Sequence, residues 1–222
     1  MKIIIFGATG MVGQGVLREC LLDTGVEKVL TVVRGASGQP HEKLREIVHR
    51  DFLDFSAVAG ELSGYDACFF CLGVSSAGMK EADYSRVTYD ITLAAAQALV
   101  KINPELTFVY VSGTGTDSTE KGAVMWARVK GRTENALLRL PFKAAYMFRP
   151  GFIQPLHGIV SKTKLYRVFY SLLSPFSPVL KMLFPKYIVT TEQIGRAMLT
   201  VARHGAPKRV LENPDIEMLA LA

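Results

Sequence analysis

The chain has 222 residues, 49% of them apolar, enough for one large domain with a sizeable core. A formal charge of +6 and a pI near 9.2 suit an anionic ligand, but no block of consecutive basic residues marks a nucleic-acid-binding protein. Three cysteines do not make a disulfide framework, and Met1-Lys2 run straight into an apolar stretch with no secretory leader expected, so a reducing cytoplasmic setting is predicted.

Ile3, Ile4, Ile5 and Phe6 are apolar without alternation, as expected of a strand buried on both faces of a parallel sheet. Gly7-Ala8-Thr9-Gly10-Met11-Val12-Gly13 follows, and then a helical pattern from about Met11 to Leu22. The spacing is GxxGxxG, where the standard dinucleotide fingerprint is GxGxxG. Its three glycines answer a tight turn, a close approach of backbone to ligand, and close packing of helix on strand. The helix start offers unpaired N–H groups and a positive dipole end, which attract a pyrophosphate.

A second strand, Lys28 to Val33, ends in Arg34. That position, about twenty residues past the last motif glycine, lies beside the adenosine ribose in a dinucleotide fold. An acid there would bind the 2′-OH of NAD, whereas an arginine accommodates the extra phosphate of NADP. NADP is therefore favoured and NAD is the alternative; the bland reading of Arg34 is a solvated loop residue. Glu46 to His49 reads as a short third strand, after which Asp51 can accept from the adenine amino group with Phe52 beside the ring. Asp54 reads as the N-cap of a helix from Phe55 to Leu62. Asp66 to Leu72 is the fourth strand, and Gly73-Val74-Ser75-Ser76-Ala77-Gly78 is a small-residue exit that lets a cofactor approach. Cys68 and Cys71 form a CxxC on this strand, where residues three apart face opposite ways, so neither a redox pair nor a metal is expected.

A long helix, Asp83 to Lys101, precedes the fifth strand, Leu106 to Val111, and the exit Ser112-Gly113-Thr114-Gly115-Thr116. This alternation predicts an α/β fold, a doubly wound, mostly parallel sheet flanked by helices. Ligands then sit outside the carboxyl ends of the strands, where Gly7, Arg34, Asp51, Gly73 and Ser112 all fall.

Val124 to Leu140 is the next helix, and Ala144 to Phe148 the sixth strand, leading into Arg149-Pro150-Gly151. From Phe152 to Tyr187 basic residues such as Lys162, Arg167 and Lys181 mix with apolar ones, and Pro175, Pro178 and Pro185 interrupt them. Two short amphipathic helices capping the cleft are expected, as a substrate lid in the first reading. Packing against a second subunit is the next reading and contact with an anionic membrane surface the third. A transmembrane span is not expected, because the uncharged run is too short. Thr190 or Thr191 caps a helix running to about Arg203, followed by a short strand, Arg209 to Leu211, and a C-terminal turn of helix. The expectation is a single domain over residues 1–222, with a small helical C-terminal cap.

Several pieces together resemble a family. They are the Gly7–Gly13 motif, Ser112 at the end of the fifth strand, Lys130-Gly131 ahead of a Glu-containing helix, Arg149-Pro150-Gly151, and Leu211-Glu212-Asn213. The chain resembles the atypical short-chain dehydrogenase/reductases, which are NAD(P)-binding Rossmann proteins of epimerase-like or NmrA-like type. Within them it is most similar to the Tat-interacting oxidoreductase-like proteins and their bacterial relatives. The resemblance implies an oxidoreductase with cofactor along Gly7, Thr9, Gly10, Met11, Val12, Gly13, Arg34, Asp51, Phe52, Leu72, Gly73, Val74, Lys130 and Pro150, and no metal. It also implies that Ser112 polarises the substrate oxygen and that Lys130 bonds the nicotinamide ribose and depresses the pKa of a tyrosine four residues earlier.

That tyrosine is absent. The position is Trp126 in Met125-Trp126-Ala127-Arg128-Val129-Lys130, and an indole N–H donates but does not cycle a proton near neutral pH. Tyr84, Tyr89 and His157 are unplaced candidates for the proton. Two readings follow: an NADP(H)-dependent oxidoreductase acting on an apolar or amphipathic small molecule, or a non-catalytic nucleotide-binding sensor or interaction protein. Trp126 as a plain cleft-wall residue, Ser112 as a turn cap and Lys130 as a solvated helix lysine are the bland alternatives.

Overall fold

The computed structural model describes residues 1–36, 38, 40–159 and 188–222. Its centre is β1 (Lys2–Phe6), whose side chains supply both cores. Ile3 and Ile5 point into one core and Ile4 and Phe6 into the other, all fully buried, which is why this strand reads as a continuous apolar run. β2 (Lys28–Val33) and β4 (Ala67–Phe70) pair with β1 in parallel, with Ile4 facing Leu30 on one side and Cys68 on the other.

Outward from these lie β3 (Leu44–Val48) on one edge, then β5 (Thr107–Val111), β6 (Ala144–Arg149) and β9 (Val210–Glu212) on the other. The seven-stranded order is β3-β2-β1-β4-β5-β6-β9, parallel throughout. The chain winds one way from β1 to β3 and the other way from β4 onward, so a crevice opens at the carboxyl ends where the order reverses.

On one face pack α1 (Met11–Leu22), α5 (Thr191–His204) and α6 (Asn213–Leu221), through Val16, Cys20, Ile194, Met198 and Ile216. The other face carries a 3₁₀ turn (Ser56–Leu62), then α2 (Glu81–Ser85) and α3 (Ile91–Ile102), and α4 (Met125–Leu138). α1 and α5 meet through glycine. A Cβ on Gly15 would sit 2.5 Å from the Thr191 side chain, and one on Gly195 would sit 2.7 Å from Glu19.

Several elements depart from expectation. The helix expected from Phe55 is a 3₁₀ turn, with Asp54 accepting from the Ser56 N–H at 2.9 Å. The long helix is broken into α2 and α3 by a π turn, Arg86–Asp90, an insertion that a 3.6-residue pattern does not reveal. α5 begins in a capping box, the Thr190 hydroxyl accepting from Gln193 while Gln193 accepts from the Thr190 N–H. A second, unforeseen sheet pairs β7 (Phe152–Gln154) with β8 (Ile188–Thr190) in parallel. Of the expected cap, residues 160–187 lie outside the described residues. Among the described residues no helix is long and apolar enough to cross a membrane.

Candidate functional site

The β1–α1 turn forms a cradle in which added side-chain bulk finds no room. Gly7 holds φ +80, and a Cβ there would stand 2.7 Å from the Cys71 and Leu72 backbone at the end of β4. A Cβ on Gly13 would stand 2.1 Å from the Gly7 carbonyl, so the first turn of α1 lies directly on the loop. α1 opens at Gly10 with no side-chain cap and no acidic residue in its first turn. The N–H groups of Met11, Val12 and Gly13 therefore face a positive helix end without a counter-charge, the requirement for a diphosphate. Thr9 turns its carbonyl to Gln14 Nε2 at 3.1 Å, which steadies the loop. The residues present fit a dinucleotide.

Arg34 is exposed at the end of β2, at the same sheet edge. Asp51 is exposed beyond β3, and its Oδ1 accepts from the Leu53 N–H at 3.0 Å. Phe52 is only 8% exposed and stands edge-on to Phe6 and Phe55, so its ring is part of the core beneath the expected adenine position. Leu72 is partly buried, and Gly73 and Val74 are exposed where β4 ends. Pro150 is buried, its carbonyl accepting from the Thr114 N–H at 3.0 Å and joining the exits of β5 and β6. Cys68 belongs to one core while Cys71 packs against the other, and burial pushes the Cys71 thiol up to about 12.

At the end of β5 the sequence singled out Ser112, Lys130 and Trp126, and the geometry adds two residues it missed. Ser112 is 6% exposed, and its hydroxyl lies 2.5 Å from Glu134 Oε1 and 3.1 Å from the Phe148 carbonyl, facing the protein interior. Glu134 on α4 is 1% exposed and takes a two-pronged bond from Arg149, with Nε to Oε1 at 3.0 Å and Nη2 to Oε2 at 2.5 Å. Arg149 also reaches Glu212 at 3.3 Å and Ser118 at 2.5 Å. Glu134 beside it raises the guanidinium pKa further. Asn213 Oδ1 accepts from the Gly151 N–H at 2.9 Å, so the Arg149-Pro150-Gly151 and Leu211-Glu212-Asn213 stretches are bonded to each other. The sequence signal for Glu134 was its place four residues, about one helical turn, beyond Lys130 on α4.

Lys130 Nζ donates to the Ser112 carbonyl. Burial pushes its pKa down to about 8, and the Glu134 carboxylate opposes that shift. The next residue, Gly131, allows the loop after β5 to lie on α4, since a Cβ there would overlap the Asp117 carbonyl at 1.7 Å. The Trp126 ring lies over Gly115, 3.4 Å from where a Cβ would stand. Thr114 is the exposed hydroxyl of this exit, donating to the Arg149 carbonyl at 3.0 Å.

The other proton candidates lie elsewhere. Tyr84 is 2% exposed, Tyr89 has the Arg132 guanidinium 4.0 Å above its ring, and His157 Nε2 is 2.7 Å from Glu192.

A parallel sheet that reverses its order beside a glycine cradle at an uncapped helix defines a dinucleotide-binding Rossmann protein. The chain belongs to the NAD dependent epimerase/dehydratase family, whose profile matches residues 3–121. It is similar to the protein FMP52-1, mitochondrial, of Scheffersomyces stipitis, at 29% identity over 69% of this chain and 67% of that one. It is also similar to FMP52, mitochondrial, of Debaryomyces hansenii, at 26% identity over 91% of this chain and 88% of that one. Among solved structures it shares its fold with the Bordetella bronchiseptica enzyme WbmF in complex with NAD+, at a TM-score of 0.66 and 16% identity over 99% of this chain and 76% of that one. The predicted cytoplasmic setting is overturned here, because these relatives are named mitochondrial. Three unpaired thiols fit any reducing compartment, so cysteine usage could not tell one from another.

Proposed function

We propose that the chain is an NADP(H)-dependent oxidoreductase of the short-chain type, acting on a small apolar or amphipathic carbonyl compound or alcohol. The observation that carries this reading is the cradle of Gly7, Gly10 and Gly13 at an uncapped helix start, in a chain of this family. The NAD+ complex of WbmF supports a nicotinamide cofactor for the shared fold. Arg34 at the end of β2, where no acid stands, supports NADP over NAD.

In this reading the N–H groups of Met11, Val12 and Gly13 hold the diphosphate and Arg34 takes the 2′-phosphate. Asp51 accepts from the adenine amino group, and Phe52 supports that position from the core below. Leu72, Gly73, Val74 and Pro150 border the cofactor with backbone and small side chains. When bound, the reduced cofactor supplies a hydride. Lys130 bonds the ribose, Trp126 walls the cleft, and Phe152 and Ile153, both partly buried, give its far side an apolar character. Ser112 orients the substrate oxygen when its hydroxyl turns to the ligand from Glu134; the exposed Thr114 hydroxyl is likewise bonded, to the Arg149 carbonyl.

Trp126 favours a second reading, a nucleotide-binding sensor without turnover. Calorimetry with NADPH and NADH, followed by loss of NADPH absorbance over a panel of aldehydes, ketones and quinones, separates the two. Heat with NADPH and turnover of one panel member supports the enzyme; heat without turnover supports the sensor; no heat with either cofactor removes both.

A further inference from the structure

The groups that could move a proton at the end of β5 are nearly all committed. Trp126 has no transferable proton near neutral pH. Tyr84 and Tyr110 are buried, and burial raises the Tyr110 phenol far above the useful range. Glu134 is taken by Arg149, which shares Glu212, and the Asp117 carboxylate accepts from the Thr119 and Gly122 N–H groups at 3.0 and 2.7 Å. Arg128 is held by Glu81 at 2.7 Å, and His157 faces Glu192. Lys130 differs from all of these. Its only hydrogen-bond acceptor among the described residues is a neutral one, the Ser112 carbonyl, and it lies partly buried on α4 one turn beyond Trp126, at the exit that carries Thr114.

We propose that Lys130 is itself the proton donor and acceptor of this chain, taking the part that a tyrosine at position 126 would play. The inference rests on the nicotinamide reading above. In the reducing direction the substrate C=O π bond breaks as hydride from the reduced cofactor forms the new C–H bond. The Lys130 ammonium gives its proton to the oxygen, forming the O–H bond. The products are the alcohol, the oxidised cofactor and a neutral Lys130 amine, which water reprotonates. A lysine brought down to about 8 by burial is poised for both halves of that exchange. The charged group acting on it is Glu134 on its own helix, with Arg149 and, through Arg149, Glu212 bonded behind it, while Tyr110 and Tyr84 are buried near Glu134 and the Asp117 backbone lies against the next residue, Gly131. Of these, Glu134 raises the Lys130 pKa and so limits the fall.

The test has three readouts. NADPH affinity is measured by calorimetry for the parent and for Lys130→Arg. The lysine amines of the parent, carrying ¹³C-dimethyl labels, are titrated by NMR from about pH 6 to about pH 11, with the Lys130 signal assigned by its loss in the arginine variant. NADPH oxidation is followed with 4-nitrobenzaldehyde and 9,10-phenanthrenequinone as probes. The proposal expects a lysine signal titrating near 8, and a reduction rate that falls as pH rises through the same value. It also expects kcat down about 100-fold or more in Lys130→Arg with a far smaller loss of NADPH affinity, since the arginine keeps a donor for the ribose, and partial rescue of Lys130→Ala by methylamine. An arginine variant within about tenfold of the parent overturns it. So does a Lys130 signal titrating with the ordinary lysines, a result that needs no variant to be active. A parent that binds NADPH and reduces neither probe overturns the proton role and leaves the cofactor reading standing; a parent that binds no NADPH overturns the cofactor reading as well.

Discussion

The Ser112 hydroxyl lies 2.5 Å from Glu134 Oε1 on the inner side of the sheet edge, so the residue at the strand end is bonded into the fold. Arg149 closes the arrangement from β6 and reaches on to Glu212 on β9. Helix α4 and three strand ends, of β5, β6 and β9, therefore share one charged cluster immediately beneath the candidate site.

Removing the carboxylate, itself 1% exposed, from that cluster leaves a partly buried guanidinium without its main partner and the Ser112 hydroxyl without its acceptor. Glu134→Ala is expected to cost about 3–5 kcal/mol in urea denaturation, the scale for breaking one side of a buried pair. Ser112→Ala removes a single hydroxyl and is expected to cost about 1 kcal/mol. Equal, small losses for both would contradict the arrangement.

The glycine cradle makes a graded prediction. A Cβ at Gly13 would meet the Gly7 carbonyl at 2.1 Å, and one at Gly10 would meet it at 3.3 Å. Gly13→Ala is therefore expected to lower the melting temperature by several degrees and to abolish NADPH binding in calorimetry. Gly10→Ala is expected to keep most of the stability, because its neighbour need yield only a few tenths of an ångström.

The proposed preference for NADP rests on Arg34. Arg34→Ala is expected to weaken NADP binding by about 1–3 kcal/mol, the scale for a lost charge-assisted bond, and to leave NAD binding nearly unchanged. An equal loss for both cofactors would refute the phosphate assignment.

Lys130 also gives a pH-dependent stability. An unfolded lysine titrates near about 10.4, whereas in the folded chain it titrates at about 8. Between those values the unfolded chain holds a proton that the folded chain has released, so this group's contribution to stability rises as pH climbs through the window. Below it, the folded protein carries the full cost of a buried ammonium. Lys130→Met is expected to melt higher than the parent near pH 7 and to lose that advantage toward about pH 10. A difference independent of pH would show that Lys130 is not desolvated.

Much of the frame was legible because the local and global signals agree. The run Ile3 to Phe6 reads as a strand buried on both faces and serves both cores, and α1 spans Met11–Leu22 as its apolar spacing and glycine start predict. What escaped was set by contacts distant in sequence. The π turn at Arg86–Asp90 changes one turn of a pattern that still looks helical. Phe52, expected beside the adenine ring, packs edge-on to Phe6 in the core, a partner nearly fifty residues away that its own neighbours in sequence do not reveal. The direction of the Ser112 hydroxyl depends on Glu134 and Arg149, which lie far from it along the chain and come together only when β5, α4 and β6 are assembled. β7 and β8 are three residues each, and only their mutual pairing makes them strands.

That small ribbon has a consequence for how the chain can vary. Phe152 pairs with Ile188 and Gln154 with Thr190, so the two ends of the intervening chain are held side by side in a sheet of their own, while Ile153 and Val189 join the core shared with the seven-stranded sheet. Parallel neighbours need a connection of a dozen residues or more, but closing a longer one adds only a slowly growing entropic penalty. The ribbon therefore fixes where any change in the length of that connection is anchored: at the Phe152–Ile188 and Gln154–Thr190 pairings, with the slowly growing closure cost falling on the ribbon itself.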